Sequence, residues 1–158
     1  MSAGTQKSVA QVSGPRDFHD SIADRLATGG QRYTGGRRRL VEALARADRP
    51  LTMSDIQDQV QDIPQSSAYR HLTVLASFGV IHRLPGNDDS GYFELTDEIS
   101  GRHHHHVTCA ICGAVADIEA SPKLERALDQ AAQLAAEETG YVIDSHRIDL
   151  VGTCAACL

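Results

Sequence analysis

The stretch Pro64-Gln65-Ser66-Ser67-Ala68-Tyr69-Arg70-His71-Leu72-Thr73-Val74-Leu75-Ala76-Ser77-Phe78-Gly79, followed at once by Val80-Ile81-His82-Arg83-Leu84, decides the fold. Ser66 opens a helix after Pro64. Ala68, Leu72, Leu75 and Ala76 recur at helical spacing, and Gly79 stops the run. Val80–Leu84 then reads as a strand. The turn-forming linker Pro85–Gly91 joins it to a second short strand, Tyr92–Thr96. Before Pro64, Thr52 or Ser54 can cap a helix to about Gln61, with Ile56 and Val60 inward. Earlier still, Thr34 caps a helix to about Ala47, with Leu40, Val41 and Leu44 on its inner face; Arg49-Pro50 breaks it. Phe18, Ile22 and Leu26 place a short amphipathic helix over Asp17–Thr28. Helices followed by a hairpin, with the last two helices across a short turn, predict a helix-turn-helix with a wing.

The rest of the chain has a different character. Residues 31–86 carry eight arginines against five acidic residues, whereas 101–158 carry four basic groups against eight acids. All four cysteines and five of the eight histidines lie in that second segment. The polar stretch from Asp97 to Arg102 marks the boundary. The expected division is a mobile tail over 1–15, a winged-helix domain over 16–97 and a metal-binding dimerisation domain over 98–158. In the second half, His103–Cys109 and Ala114–Glu119 read as strands, Pro122–Thr139 as an amphipathic helix with Pro in its first turn, and Tyr141–Val151 as a long alternating strand. The fold class expected is therefore α+β.

Composition narrows the function classes. Of 158 residues, 41% are hydrophobic and 23% charged, ordinary for a soluble globular chain. No apolar run reaches the roughly 20 residues of a membrane span, and Met1–Pro15 lacks the apolar region of a secretory signal. A cytoplasmic location follows as the expectation, and there cysteines serve metals or redox chemistry more often than structural disulfides. A net charge of −6 excludes a uniformly basic coat for nucleic acid but leaves room for a local basic face.

Cys109-Ala110-Ile111-Cys112 and Cys154-Ala155-Ala156-Cys157 are two CxxC pairs separated by 41 residues. Each knuckle presents two thiolates on one side of a tight turn, and two knuckles complete the tetrahedral shell that Zn²⁺ accepts. With four protein ligands there is no open position, so the expected zinc is structural. Two redox dithiols or buried small residues are the alternatives. His103-His104-His105-His106 invites reading as the scar of an expression tag, but it is internal, short and runs straight into a strand-like segment. On a strand its side chains alternate, so His103 and His105 face one way, His104 and His106 the other. One tract then supplies two imidazoles to each of two metal sites.

Together these residues carry a resemblance. Thr34-Gly35-Gly36-Arg37, Ser66-Ser67-Ala68-Tyr69-Arg70-His71-Leu72, Tyr92-Phe93-Glu94-Leu95-Thr96, the histidine tract, CxxCG, Gly140-Tyr141 and His146 ahead of Cys154 resemble the ferric uptake regulator family over about residues 18–158. Within it the chain looks most like the zinc uptake regulator subgroup. The resemblance implies an N-terminal winged helix-turn-helix DNA-binding domain and a C-terminal α/β dimerisation domain. It further implies a homodimeric, metal-dependent repressor of palindromic operators. Iron and peroxide sensors of the family place a histidine just before the third helix; here Pro50 stands there. Zinc sensors use an acidic residue on the first wing strand, matched by His82. They use a cysteine on the second, matched by Thr96, while Glu94 matches the carboxylate of the iron-type members. The expected regulatory shell is therefore His82, Glu94, His104 and His106, with Glu98 as substitute. A further site draws on His103, His105, Glu125 and His146, with Asp117 and Glu119 competing for the place of Glu125.

For DNA, Ser66, Ser67, Tyr69 and Arg70 lie near the N-terminus of the helix that would enter the major groove, and Arg37 matches the family's phosphate-contacting arginine. Arg32, Arg38 and Arg39 add positive potential. His71 reads as a phosphate or surface contact. The expected cofactors are structural Zn²⁺ and a regulatory divalent metal, with Zn²⁺ preferred over iron, nickel or manganese and over peroxide sensing. The expected partners are double-stranded DNA and a second copy of the chain, with no membrane and no small organic substrate. A zinc enzyme would need an open metal position and a positioned carboxylate; neither HExxH nor HxE with PCxxC is present. The chain is thus expected not to be an enzyme. A structural zinc module or metal buffer without DNA binding is the competing class.

Overall fold

The computed structural model describes residues 15–86 and 91–158, with side chains from Phe18 onward. Most of the expected N-terminal tail and the tip of the hairpin turn, residues 87–90, lie outside the described residues. The first half opens with α1 (Pro15–Ala27) and α2 (Gly35–Arg46). A two-residue strand β1 (Leu51–Thr52), α3 (Met53–Gln59) and α4 (Gln65–Ser77) follow. Next come β2 (Ile81–Leu84), β3 (Tyr92–Leu95) and a one-turn helix α5 (Asp97–Ser100). β1, β3 and β2 form an antiparallel sheet in that order, so the wing is closed by a third strand lying ahead of α3. Neither β1 nor α5 was expected from the sequence, because elements of two and four residues are too short to display a period.

Local chemistry fixes the helix starts. Thr34 accepts from the Arg37 N–H, and Thr52 and Asp55 form a reciprocal capping box. Asp55 also pairs with Arg49 at 2.9 Å. α2 packs against α3, α4 and β3. Their shared core runs from Ile22 and Leu26 through Leu40, Val41, Ile56, Leu72 and Leu75 to Phe93, Leu95 and Ile99. Burying a Leu or Ile side chain contributes about 1.5–3 kcal/mol, so this core is ample for an independent unit. Gly91 shapes the wing: its φ is +65°, and a Cβ there would stand 2.4 Å from the Leu84 carbonyl oxygen, a position open only to glycine.

The second half comprises β4 (His105–Cys109), β5 (Val115–Ile118), α6 (Pro122–Thr139), β6 (Asp149–Gly152) and a single 3₁₀ turn over Ala155–Cys157. β4 is central, antiparallel to β5 and parallel to β6. Ser121 caps α6 by accepting from the Leu124 N–H, and Gly140 ends it at φ +73°. The expected long strand over Tyr141–Val151 is corrected to the four residues of β6. The cause lies in its neighbour: β4 begins only at His105, and the ladder's first bond runs from His106 N–H to the Ile148 carbonyl. Upstream of that point the chain has no paired strand among the described residues.

Packing differs sharply between the halves. No residue of α6 or β6 is buried, and Cys109 is the one buried apolar residue described in 101–158. Leu134, Tyr141, Val142, Leu150 and Val151 are all exposed. The described residues contain no helix long and apolar enough to cross a membrane.

Candidate metal centres and nucleic-acid interface

Three groups of ligand atoms converge among the described residues, each with its atoms within 4.8 Å of one another. The first is made by the cysteines. Cys109 ends β4 and Cys112 lies in the β4–β5 turn, and the terminal 3₁₀ turn with its preceding residue brings Cys157 and Cys154 to them. All four are free thiols, and the Cys112 and Cys154 sulfurs lie 3.6 Å apart, well beyond a disulfide bond length. Backbone N–H groups of Cys112, Cys154 and Ile111 aim at Cys109 and lower its pKa to about 6. Cys157, hydrogen-bonded to the sulfurs of Cys112 and Cys154, is pushed up to about 12. The pocket thus favours one thiolate and opposes the last. A divalent cation supplies the charge that allows all four to ionise, and an all-sulfur tetrahedral set suits Zn²⁺.

The other two groups come from opposite sides of the histidine tract. His103 and His105 stack edge to face at 4.8 Å, and His104 and His106 do so at 5.0 Å. On one side, His105 Nε2 lies 3.0 Å from Glu125 Oε1, and His146 Nε2 lies 3.1 Å from Glu125 Oε2. His103 Nε2 stands 3.3 Å from that same Oε2. Glu125 sits in the first turn of α6, and the structure brings it, not Asp117 or Glu119, to this group. Burial acts to raise its carboxyl, but the three imidazoles outweigh it and hold the group below the ordinary range. Three imidazoles and a carboxylate form a fitting shell for a borderline divalent metal.

On the other side, Glu94 of β3 faces the tract from the wing. Its Oε2 lies 3.0 Å from His106 Nε2 and 3.3 Å from His104 Nε2. Glu94 is 9% exposed and His106 4%. Burial acts to raise the Glu94 carboxyl; bonds from His106 and His104 reverse this and leave it low. Burial acts to lower His106, but Glu94, Asp117 and Asp149 together lift it above the ordinary imidazole value. A cavity of about 310 Å³, lined in part by Glu94, His104, Arg102 and Asp117, opens beside this group.

His82 does not join it. It stands directly across from Glu94 in the β2–β3 register and is half-buried, yet it belongs to none of the three groups. Burial, and then the nearby Arg147, lower its pKa. Glu98, the substitute expected, is engaged with Arg25 at 2.6 Å. What the sequence did not assign to this side is Asp117, paired with His106 in the β4–β5 register, its Oδ1 3.7 Å from His106 Nε2. Asp149 approaches the other nitrogen of His106 at 3.6 Å, from the parallel neighbour β6. The signal for both was cross-strand register, which single-strand alternation does not contain.

On the prospective DNA face, Ser66 and Arg70 are exposed at the start of α4, with Arg70 Nε donating to the Ser66 carbonyl. Ser67 and Tyr69 are partly buried, Tyr69 lying edge-on to Phe93 at 6.2 Å. Arg37, expected at a phosphate, has partners within the first half. It is 8% exposed and donates to the Arg32 carbonyl at 2.6 Å and to Gln31 Oε1 at 2.9 Å. Arg32, Arg38 and Arg39 remain exposed around it. His71 approaches the Gly36 backbone, 3.3 Å from where a Cβ would stand.

Comparison with known proteins places the chain in a family. The profile of the ferric uptake regulator family matches residues 28–151. The peroxide-responsive repressor PerR of Staphylococcus saprophyticus is 30% identical over 144 residues, spanning 89% of this chain and 90% of its own length. The ferric uptake regulation protein of Neisseria gonorrhoeae is 28% identical over 137 residues, spanning 84% and 90%. In structure, the Helicobacter pylori ferric uptake regulator, described as having three functional metal binding sites, superposes with a TM-score of 0.63 at 22% identity over 88% of this chain and 93% of that one.

Proposed function

The chain belongs to the ferric uptake regulator family, a family of metal-responsive transcriptional regulators, and from that premise we propose that it is a zinc-responsive repressor that binds palindromic operator DNA as a homodimer in the cytoplasm. The observation that carries the proposal is the group Glu94, His104 and His106, which takes one ligand from the wing and two from the second half. Glu94 moves with the recognition helix α4, because β3 and α4 share one core. His104 and His106 move with the sheet that holds the cysteines. A divalent cation at this point favours the relative orientation in which all three side chains reach it. A ligand shifts an equilibrium only by such differential affinity.

The exposed apolar side chains of α6, β6 and the segment between them support a second copy as the cover for this face. Two α4 helices held by that pairing would meet successive half-sites of a palindrome. The exposure of Ser66 and Arg70 at the start of α4 supports contacts to base edges and phosphates, with exposed Arg32, Arg38 and Arg39 adding charge. The cysteine group serves as the structural zinc site.

A second reading follows from Asp117. With its carboxylate added, the hinge shell becomes two nitrogens and two oxygens, a set that also accepts Fe²⁺ or Mn²⁺. Ferrous iron held this way would make a peroxide-sensitive regulator, as the name of the staphylococcal relative suggests. The test is a salt-controlled gel shift on an AT-rich palindrome with Zn²⁺, Fe²⁺ or Mn²⁺, with and without peroxide, for the wild type and His104→Ala. Zinc-dependent binding lost in His104→Ala supports the zinc repressor. Iron-dependent binding abolished by peroxide replaces it with the second reading. Binding indifferent to every metal overturns both.

A further inference from the structure

The second histidine group has a connection that crosses the hinge. His103 presents its two ring nitrogens to two different bodies. Nε2 points into the group, 3.2 Å from His146 Nε2 and 3.3 Å from Glu125 Oε2. Nδ1 donates to Asp97 Oδ2 at 2.5 Å. Asp97 opens α5, and α5 is fastened to the first half at several points. Ile99 is 6% exposed in the first-half core, Glu98 pairs with Arg25, and Thr96 donates from its backbone to Val80 and from its hydroxyl to Gly79. Between Asp97 and His103 the chain turns at Gly101, whose φ is +69° with open space where a Cβ would stand, and then passes the exposed Arg102. A carboxylate fixed to the DNA-reading half therefore grips an imidazole of the other half across the turn at Gly101.

We propose that Asp97 is a positioning residue for the His103–His105–Glu125–His146 site: it holds the His103 ring with Nε2 aimed at the cation and so ties occupancy of that site to the hinge angle. The inference rests on the reading of that group as a metal site. Its physical basis is the tautomer. An imidazole that ligates through Nε2 carries its proton on Nδ1, and a carboxylate there makes the ring both better oriented and more basic. Within the group this help goes to His103; the Nδ1 of His105 is buried with no partner among the described residues, and His146 Nδ1 is 4.0 Å from Asp129. Coupling between two equilibria is reciprocal. The factor by which the Asp97 contact tightens the cation is the factor by which the cation tightens the contact, and with it the hinge.

Full-length protein with its cysteine site zinc-loaded, in a His104→Ala background that removes the competing hinge group, is titrated with Co²⁺ and followed by its d–d absorption. Outer carboxylates of this kind are typically worth about 10–100-fold in metal affinity, so Asp97→Ala is expected to lose that much. Asp97→Asn, which keeps an acceptor oxygen without the charge, is expected to lose less. A second reading is trypsin cleavage after Arg102, quantified by mass spectrometry. Co²⁺ is expected to slow it in the parent and to leave it unchanged in Asp97→Ala even at saturation. Asp97→Ala and Asp97→Asn that bind Co²⁺ like the parent, with Arg102 protected, would overturn the proposal while leaving the site standing. A His103→Ala variant that also binds Co²⁺ unchanged would show that the site reading itself is wrong, and the proposal falls with it.

Discussion

Replacing Cys112 with Ser should dismantle the second half and spare the first. Within one chain, 101–158 has almost no apolar burial to sustain it: α6 buries none of its 18 residues, and the sheet consists of strands of five, four and four residues. A small sheet without a hydrophobic face is marginal in water, and so is a lone helix not much longer than about 15 residues. Joining Cys112 to Cys154 through a common ion closes a loop of 41 intervening residues. Treated as a cross-link, that closure alone removes about 4 kcal/mol of chain entropy from the unfolded state. The metal–thiolate bonds add to it, since structural zinc contributes about 10–16 kcal/mol of binding free energy in isolated finger domains. In scanning calorimetry, the wild type should show a transition for the second half that disappears in Cys112→Ser or after a strong chelator. The first-half transition should persist, shifted by the loss of the contacts that Glu94 and Asp97 make with the histidine tract. Sedimentation should report loss of the dimer at the same time. A single transition indifferent to both treatments would refute the reasoning.

Three further outcomes are expected. Glu94→Gln should weaken zinc at the hinge group by at least the 10–100-fold typical of altered metal surroundings, while His82→Ala should stay within about twofold; competition against a chromophoric chelator separates a shell containing His82 from one without it. The Asp55 carboxyl, held down to about 2 by its bonds from Arg49 and Thr52, stabilises the first half at pH above its ordinary value near 3.8, and this stabilisation is lost as the pH falls toward 2. With Arg49 half in solvent, the shift is worth about 1 kcal/mol, and acid unfolding of Asp55→Asn should lack that slope. Arg70→Ala should cost about 1–3 kcal/mol of operator affinity if it reads a base, or lower the salt slope by about one if it meets a phosphate, as measured by anisotropy across a salt series.

What the sequence revealed and what it concealed have one physical cause. Period and capping chemistry are local, so α2, α3, α4 and α6 could be read to within a few residues from Thr34, Thr52, the spacing of Leu72 and Leu75, and Pro122. Alternation along an extended tract is also local, and it separates His103 and His105 from His104 and His106 without reference to any neighbour. Register between strands is not local. Asp117 could not be assigned to His106, nor Asp149 to its far nitrogen, before β4 was known to lie between β5 and β6. The same limit explains the long strand expected over Tyr141–Val151: its alternation is real, but a strand needs a neighbour, and β4 begins only at His105, within the tract. The surroundings of Arg37 are a further non-local feature: its motif position implies a phosphate contact, and the fold adds bonds from its guanidinium to Gln31 and to the Arg32 carbonyl.

The two kinds of site should therefore differ in the order in which they lose metal. All four cysteines belong to one sheet and its flanking turns, so their geometry is set whenever that sheet is formed. On the proposed reading, the hinge group is assembled when the wing brings Glu94 to His104 and His106, and apparent affinity then falls in proportion to the fraction of molecules already in that pose. If the closed pose holds about 1% of the metal-free population, the hinge site is weakened about 100-fold relative to the same ligands held rigidly. A structural ion must stay bound when cellular metal is scarce, and a sensing ion must leave; placing one set inside a domain and the other across a hinge gives that order without any difference in metal preference. In cobalt-loaded protein, graded chelator should then erase the d–d bands of the imidazole–carboxylate sites before the thiolate charge-transfer band. Loss of the thiolate band first would mean that the hinge is rigid in the absence of metal, and a rigid hinge leaves the ion no equilibrium to shift.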